Sequence, residues 1–540
     1  MLLILAVLAL GAWAQAADMV ITGARIYTGD PARPRASAIA VKDGRILAVG
    51  DDLTAHIGSG TSSIVARGAT IIPGFIDCHV HMQALGEVLE SLDFRYTRTV
   101  EEIAKAVRKR ACELKAGEWI RGANWDQTNW GGRFPDAEPL TRAAPDHPVY
   151  LTRVDGHAAW VNRKALEIAG ITAATPDPPG GKIHRTGTGE PAGILIDNAQ
   201  DLVARKIPPP TDEQVRRRLA RAARECARLG ITTAHDAGVS EQELDAYRAL
   251  IAAKDLPVRV YAMIGGEGEL WRKYLACGPE IGERLTVRSI KLMADGAMGS
   301  RGAAFFDPYT DDPGNTGLLM LSRGDVERVA RAAAERGFQV NTHAIGDRAN
   351  RMVLEAYGAV LGGKNDKRFR IEHAQAVAPP DFELFAKYSV IASMQATHAT
   401  SDMRWAEARV GPQRVKGTYA WRRFLSVGAP VANGSDFPVE EPNPLYGFYA
   451  AVTRQDREGR PEGGWFPDQR MTREEALKSW TAAGAYAAFE EKEKGTIETG
   501  KFADFVLLSK DVLSVAPKEI LDTRVLMTVV GGEVVYSELP

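Results

Sequence analysis

Cysteine is scarce in this chain. The four residues, Cys78, Cys112, Cys226 and Cys277, lie far apart and form no CxxC pair, which excludes a disulfide framework and a zinc knuckle. An excess of charge of either sign is missing too. Lys and Arg total 67 against 69 for Asp and Glu, a formal net charge of -2. Such a balance offers neither a nucleic-acid surface nor a polybasic membrane anchor. After the first residues no apolar run is long enough to cross a bilayer as a helix, and no internal repeat or low-complexity tract is present. Histidine is sparse as well, with ten residues in 540, so where each one falls is informative.

What is present is globular: 45% apolar and 25% charged residues. The length implies one large barrel with an accessory domain, or two to three domains. Met1 to Ala14 is apolar but too short to span a membrane, and Ala14-Gln15-Ala16 supplies the small-x-small pattern of a cleavage site, although no Lys or Arg precedes the run. Residues 1–17 are therefore expected to be a signal peptide, directing export to the periplasm or outside and leaving no stable membrane anchor after cleavage.

Both ends of the remaining chain read as β-structure. Met19 to Tyr27 forms a strand, and Ala38-Ile39-Ala40-Val41 and Ile46-Leu47-Ala48-Val49 flank an Asp43-Gly44 hairpin turn. Phe505 to Leu508, Val525 to Val530 and Glu533 to Tyr536 repeat the texture. Residues 18–70 and 489–540 are expected to build one small β-sandwich. Between them, 71–488 alternates apolar strand-like runs with helical patterns. Strands beginning near Ile71, Ile231, Val258, Val287, Phe338, Phe369, Val390 and Pro430 number the eight of an α/β (β/α)8 TIM barrel. Residues 84–210 form a long insertion after the first barrel strand, expected to serve as a substrate lid. Its Trp119, Trp125, Trp130, Phe134 and Trp160 suit a local core or a pocket wall.

Ile71-Ile72-Pro73-Gly74-Phe75-Ile76-Asp77-Cys78-His79-Val80-His81 is the most telling segment. Residues i and i+2 of a strand point to the same side, so His79 and His81 can reach one metal ion, while Cys78 faces outward against a helix. Active sites of such barrels sit at the C-terminal ends of strands. Lys291, His343, His373 and Asp436 occupy that place on the proposed fourth, fifth, sixth and eighth strands. His56 and His147 lie away from strand ends and read as solvent-facing.

Six stretches then follow in order: Gly74 to His81, Lys291 to Arg301, Thr342-His343-Ala344-Ile345-Gly346-Asp347, Ile371-Glu372-His373-Ala374-Gln375, Gly434-Ser435-Asp436-Phe437-Pro438, and Gly500-Lys501-Phe502-Ala503-Asp504. Together they resemble the amidohydrolase superfamily and, within it, the YtcJ-like (amidohydrolase 3) group. The resemblance implies a metal-dependent hydrolase holding two divalent ions in the barrel mouth, zinc in many members, with iron, manganese or cobalt compatible with the same ligands. It implies that His79 and His81 bind one ion with Asp436, and that His343 and His373 bind the other. Lys291 would be carbamylated by carbon dioxide into a bridging anion, which lowers the positive excess of two dications where an ammonium would raise it. The alternative is that Lys291 pairs with Asp295 and the centre holds a single ion.

By the same resemblance His157 and Trp160, in Asp155-Gly156-His157-Ala158-Ala159-Trp160, contact substrate. Arg301 binds a polar substrate group or braces its loop. His398 polarises a carbonyl or is an ordinary loop residue, His235 supports the ligands from behind or is structural, and Asp77 orients an imidazole or simply packs. The implied reaction is hydrolysis of a non-peptide carbon–nitrogen bond in a small molecule, an amide or N-substituted formamide. Asp436 would take the proton from the attacking water and pass it to the leaving nitrogen. A lactone, carbamate or dipeptide needs the same chemistry, and fold does not choose among them. A non-catalytic periplasmic binding protein, or an isomerase or dehydratase on this scaffold, are the readings from other classes. Oligomeric state stays open.

Overall fold

A computed structural model describes residues 15–94, 97–153, 158–178, 181–266, 268–299 and 301–539. The expected leader segment through Ala14 and the proposed substrate residue His157 lie outside the described residues. Along the chain come β1 (Met19–Tyr27), β2 (Arg35–Lys42), β3 (Arg45–Gly50), β4 (Ser62–Val65), β5 (Thr70–Pro73) and β6 (Phe75–Val80). β7 (Leu92–Asp93), β8 (Ile120–Trp125), β9 (Val149–Arg153), β10 (Ala158–Val161), β11 (Gly181–Arg185) and β12 (Pro191–Asp197) belong to the insertion. β13 (Ile231–Val239), β14 (Arg259–Gly265), β15 (Glu280–Ile281), β16 (Leu285–Met293), β17 (Gln339–Ala344), β18 (Arg370–His373), β19 (Ile391–Gln395) and β20 (Val431–Gly434) follow, and β21 (Phe505–Leu508), β22 (Val525–Val530) and β23 (Glu533–Ser537) end the chain. Among the described residues no helix is long and apolar enough to cross a membrane.

Two compact units emerge: residues up to Met82 with Leu219 onward, and Gln83–Arg218. In the first, β6, β13, β14, β16, β17, β18, β19 and β20 pair in that order, all parallel. Past the end of β20 the ring closes, as Asp436 N–H donates to the His79 carbonyl (2.8 Å) and His81 N–H to the Phe437 carbonyl (3.0 Å). This is the α/β barrel that the alternation of strand and helix patterns implies. Parallel strands are buried on both faces, so every residue of β6, β17, β18, β19 and β20 is inside. Ser240 and Ser322 start the helices Glu241–Ala252 and Arg323–Glu335 with capping boxes, each serine cap contributing about 1 kcal/mol. Cys78 packs against Ala485 and Ala487 of the helix Ala482–Ala487.

The expected first strand from Ile71 divides in two. Ile71 and Ile72 lie in β5, which pairs with β1 and β21, and the barrel begins only at Phe75. Gly74 is the break: its N–H donates to the Asp504 carbonyl at 3.0 Å, and a Cβ there would come within 2.2 Å of the Thr232 hydroxyl. The two chain ends share one eight-stranded sheet, in the order β23-β22-β21-β5-β1-β2-β3 with β4 on β1, and the turns of its two end hairpins meet at Gly44 and Gly531. Ile21, Ile39 and Val41 join Phe505, Leu507 and Val529 in one core. Asp43-Gly44 and Gly531-Gly532 turn the β2–β3 and β22–β23 hairpins, all four at positive φ, as a type I′ turn requires. Arg259 of β14 forks onto Asp504 at 2.8 and 3.0 Å with both side chains about 3% exposed, tying the barrel to the sheet.

The second unit is built on the sheet β11-β12-β10-β9-β8-β7. Trp125 and Trp160 are fully buried in its core, edge to face at 6.0 Å, with Ile103, Val107 and Leu140 around them. Their indole N–H groups donate to the Leu151 and Asp136 carbonyls, each at 2.8 Å. His147 is buried here too, its Nδ1 3.0 Å from the Glu118 carbonyl, against the solvent-facing position expected for it.

Candidate metal centre

The barrel gathers its polar side chains at the ends of its strands. His79 is in β6 and His81 follows it, Lys291 is in β16, His343 in β17, His373 ends β18 and Asp436 follows β20. His373 and Asp436 have φ of 71° and 61°, a left-handed conformation costing a non-glycine residue on the order of 1–3 kcal/mol. Both stand where a strand breaks into its loop, and the barrel holds them there. Asp77 helps: its carboxylate accepts from Ser435 N (2.9 Å) and Ser435 Oγ (2.7 Å). Asp77 thus anchors the backbone before Asp436 and does not orient an imidazole ring. Burial pushes its carboxyl up to about 7.

Each histidine of the centre has one ring nitrogen committed to an acceptor. His79 Nδ1 lies 2.6 Å from Glu372 Oε2, His81 Nδ1 3.0 Å from the Ala237 carbonyl, and His373 Nδ1 2.8 Å from Gln395 Oε1. A carboxylate or carbonyl partner keeps the proton on Nδ1 and leaves the lone pair on Nε2. For His343 the committed atom is Nε2, 3.5 Å from the Gly296 carbonyl, which leaves Nδ1. Nε2 of His79 and of His81 then face Asp436 Oδ1 at 3.7 and 3.2 Å. Asp436 Oδ1 is buried without a hydrogen-bond partner. Three acceptors facing one another with no proton between them repel, and a cation relieves that. Two ligands about 2.1 Å from one tetrahedral ion stand about 3.4 Å apart, which matches.

The donor atoms of His79, His81 and Asp436 lie within 4.8 Å of one another, and those of His373, His398 and Asp436 do so as well. His343 is in neither group, although its ring centroid is 4.6 Å from that of His373. Lys291 Nζ lies 3.2 Å from His79 Nε2. It does not take the alternative pairing with Asp295, whose oxygens accept from Ile345 N, Gly346 N and Ala304 N at 2.8 to 2.9 Å.

Burial dominates the electrostatics. It holds His79 and His373 well below the ordinary imidazole range and His343 down to about 3, with the Lys291 charge adding to each. These rings are neutral at pH 7, as metal ligands must be. Burial also lowers the Lys291 amine, against Glu372 and Asp436. Asp436 is held well below the carboxylate range although burial opposes it, the His81 contact being the largest of the lowering influences.

Among the other expected site residues, Trp160 has its ring wholly in the insertion core and its one polar atom satisfied, the position of a core residue and not of a pocket wall. Arg301 braces its loop, forking onto Asp311 at 3.0 Å from both Nε and Nη2. His398 sits in the short helix Ala396–Asp402 after β19, buried, with Nε2 3.7 Å from Asp436 Oδ2. His235 is buried against Arg370, 3.1 Å away. Sequence reasoning missed Glu372, Gln375 and Gln395. Their signal was there: Arg370 and Glu372 are charged residues in a strand with no exposed position.

The profile of the amidohydrolase family matches residues 64–536. Bacillus subtilis YtcJ, an amidohydrolase by name, is 33% identical over 528 residues, covering 96% of this chain and 99% of that protein. The N-substituted formamide deformylase of Arthrobacter pascens is 28% identical over 550 residues, 97% of this chain and 99% of its own. A crystal structure of a metal-dependent hydrolase from Pyrococcus furiosus superposes with a TM-score of 0.77 at 28% identity, over 92% of this chain and all (100%) of that one. The buried His–Asp cluster at the barrel mouth and the match along nearly the whole sequence lead to one conclusion: this chain belongs to the amidohydrolase family of metal-dependent hydrolases.

Proposed function

We propose that the protein hydrolyses a non-peptide amide-type carbon–nitrogen bond of a small molecule. The observation that carries this reading is Asp436, an ionised carboxylate with an unpartnered oxygen facing two imidazole lone pairs. The formamide deformylase relative supports an amide over an ester. His79, His81 and Asp436 would hold one divalent ion, zinc by its donor set. His343 Nδ1 and His373 Nε2 would hold a second, with Lys291 as a carbamate between them. A divalent ion bound there supplies a Lewis acid and makes water nucleophilic at neutral pH.

The chain's own groups do the rest. Asp436 accepts the proton of the attacking water and delivers it to the leaving nitrogen as the carbon–nitrogen bond breaks. Glu372, Ala237 and Gln395 keep the imidazoles in the required tautomers. Gln375 Nε2 lies 3.1 Å from His398 Nδ1. With that amide N–H donating, the His398 proton sits on Nε2, which serves as a hydrogen-bond donor to the carbonyl oxygen. Burial lowers the Lys291 amine, which favours the free-base form that combines with carbon dioxide. Substituting it and losing a carbon-thirteen carbamate resonance tests that point. Export by the leader is part of the proposal, checked by the N-terminal sequence of the protein recovered from the periplasm.

The experiment for the reaction is turnover of N-acyl amines by the metal-loaded protein, with free amine as the product. Conversion of lactones or esters alone would exclude the amide assignment.

A further inference from the structure

Two cavities meet at the metal centre, of about 560 and about 370 Å³, and they share His81, Lys291 and Met293. They are one cleft, divided by the reacting groups. Among the described residues, the larger lobe is mostly apolar away from the reacting groups. Ala237, Val239, Leu270 and Met293 line it, beside the backbone of Gly238 and Gly265. The charged side chains at its rim are already paired, Lys273 with Glu241 and Glu269 with Arg272. Away from His81, Lys291 and Ser240, a group seated there meets mostly carbon and glycine backbone.

The smaller lobe is different. Asp402 and Glu440 line it beside Asp436, and Lys291 is the one Lys or Arg among the described residues that line it. Neither acid has an ion-pair partner among the described residues. Asp402 accepts from the Tyr419 hydroxyl at 2.7 Å and Glu440 from the Ser401 hydroxyl at 2.6 Å, both neutral donors. Gln375 lines the same lobe. It is 5% exposed, and its Oε1 acceptor has no partner. Trp405 adds an aromatic face. Unpaired carboxylates, an unsatisfied amide oxygen and an indole together favour an ammonium group.

Asp436 lines only the smaller lobe, and that fixes the direction of the substrate. The leaving nitrogen must lie within reach of the group that protonates it, so the amine half occupies the acidic lobe and the acyl half the apolar one. We infer that the substrate is an N-acyl amine whose acyl group is an apolar chain longer than formyl and whose amine half bears a second, cationic nitrogen. This deepens, and rests on, the amide-hydrolysis reading above. In the reaction one water is consumed. Its oxygen bonds to the acyl carbon, the carbon–nitrogen bond breaks, and the proton held by Asp436 passes to the departing diamine, leaving a free fatty-type carboxylate.

The test is a panel of four amides with the metal-loaded, full-length enzyme: N-hexanoylcadaverine, N-formylcadaverine, N-hexanoylpentylamine and the pentylamide of aminohexanoic acid. The first should exceed each of the others in kcat/KM by about tenfold or more, the range a hydrophobic pocket or one buried charge contact discriminates. Gly265→Leu should then shrink the hexanoyl-to-formyl ratio about tenfold. A Cβ at Gly265 meets nothing nearer than the Gly238 carbonyl at 3.8 Å, so the added side chain enters the lobe and not the barrel wall. Glu440→Gln should shrink the cadaverine-to-pentylamine ratio in the same way. The wild-type panel stands without either variant, should one fail to fold. Faster cleavage of the formyl, uncharged or reversed amide overturns the inference while leaving amide hydrolysis intact. No cleavage of any of the four, with turnover of a lactone, overturns both.

Discussion

Glu372 offers the sharpest local perturbation. Its carboxylate and the His79 ring are both fully buried, and Oε2 stands 2.6 Å from Nδ1. A charge-assisted contact of that length is roughly twice as strong as a neutral one. Its effect is to hold the His79 proton on Nδ1 and so present the Nε2 lone pair to Asp436. Glu372→Leu leaves a buried N–H without a partner, a penalty of about 1–3 kcal/mol, and frees the ring to turn. Loss of such an outer partner lowers metal affinity about 10–100-fold, or about 1.4–2.8 kcal/mol. Glu372→Gln keeps an acceptor without the charge and should fall between. The assay is equilibrium competition for zinc against a chelating dye, with circular dichroism to establish that each variant is folded. A folded Glu372→Leu protein that binds zinc within about twofold of wild type, below the smallest expected effect, would refute the claim that this contact orients a ligand.

Other outcomes follow from the same geometry. Asp436→Asn should lower kcat by about a hundredfold or more on any amide that the enzyme cleaves, the size of a lost general base and acid; rates near wild type would remove its proton-transfer role. His398→Asn should lower kcat about a hundredfold or more at unchanged metal content; if metal is lost instead, His398 is a ligand with His373 and Asp436. Asp504→Asn breaks a buried pair and should cost about 3–5 kcal/mol in urea unfolding. The Arg259 guanidinium holds Asp504 below the carboxylate range despite burial. The pair's stabilisation is therefore complete above the unfolded-state pKa of about 4 and is lost as pH falls through the lower folded value. The gap between wild type and variant should be level at neutral pH and narrow only in acid. Stripping metal with a chelator should abolish turnover and zinc should restore it, followed by amine release.

The barrel was legible because parallel strands buried on both faces read as continuous apolar runs, and the few polar residues closing them, His79, Lys291, His343 and His373, had no other reason to be there. The break at Gly74 was not legible as a change of sheet: Pro73-Gly74 interrupts the run from Ile71 to His81, but only the pairing of β5 with β21, from the far end of the chain, shows that the two halves belong to different sheets. Trp160 reads as a substrate contact from the motif it shares with the family, and a motif does not tell which side of a sheet a ring faces. Glu372, Gln375 and Gln395 escaped notice because their task is to contact other side chains, and the partners lie about twenty to three hundred positions away. Which nitrogen of each imidazole is free depends entirely on those partners.

The most direct measurement is the divalent metal content of the purified, dialysed protein by plasma mass spectrometry, for wild type and for the paired substitution of His79 and His81 by Ala. The account predicts tightly held metal in the wild type and its loss in the folded double variant. Wild-type protein that binds no divalent ion at neutral pH, or a double variant that keeps its full complement, would contradict it.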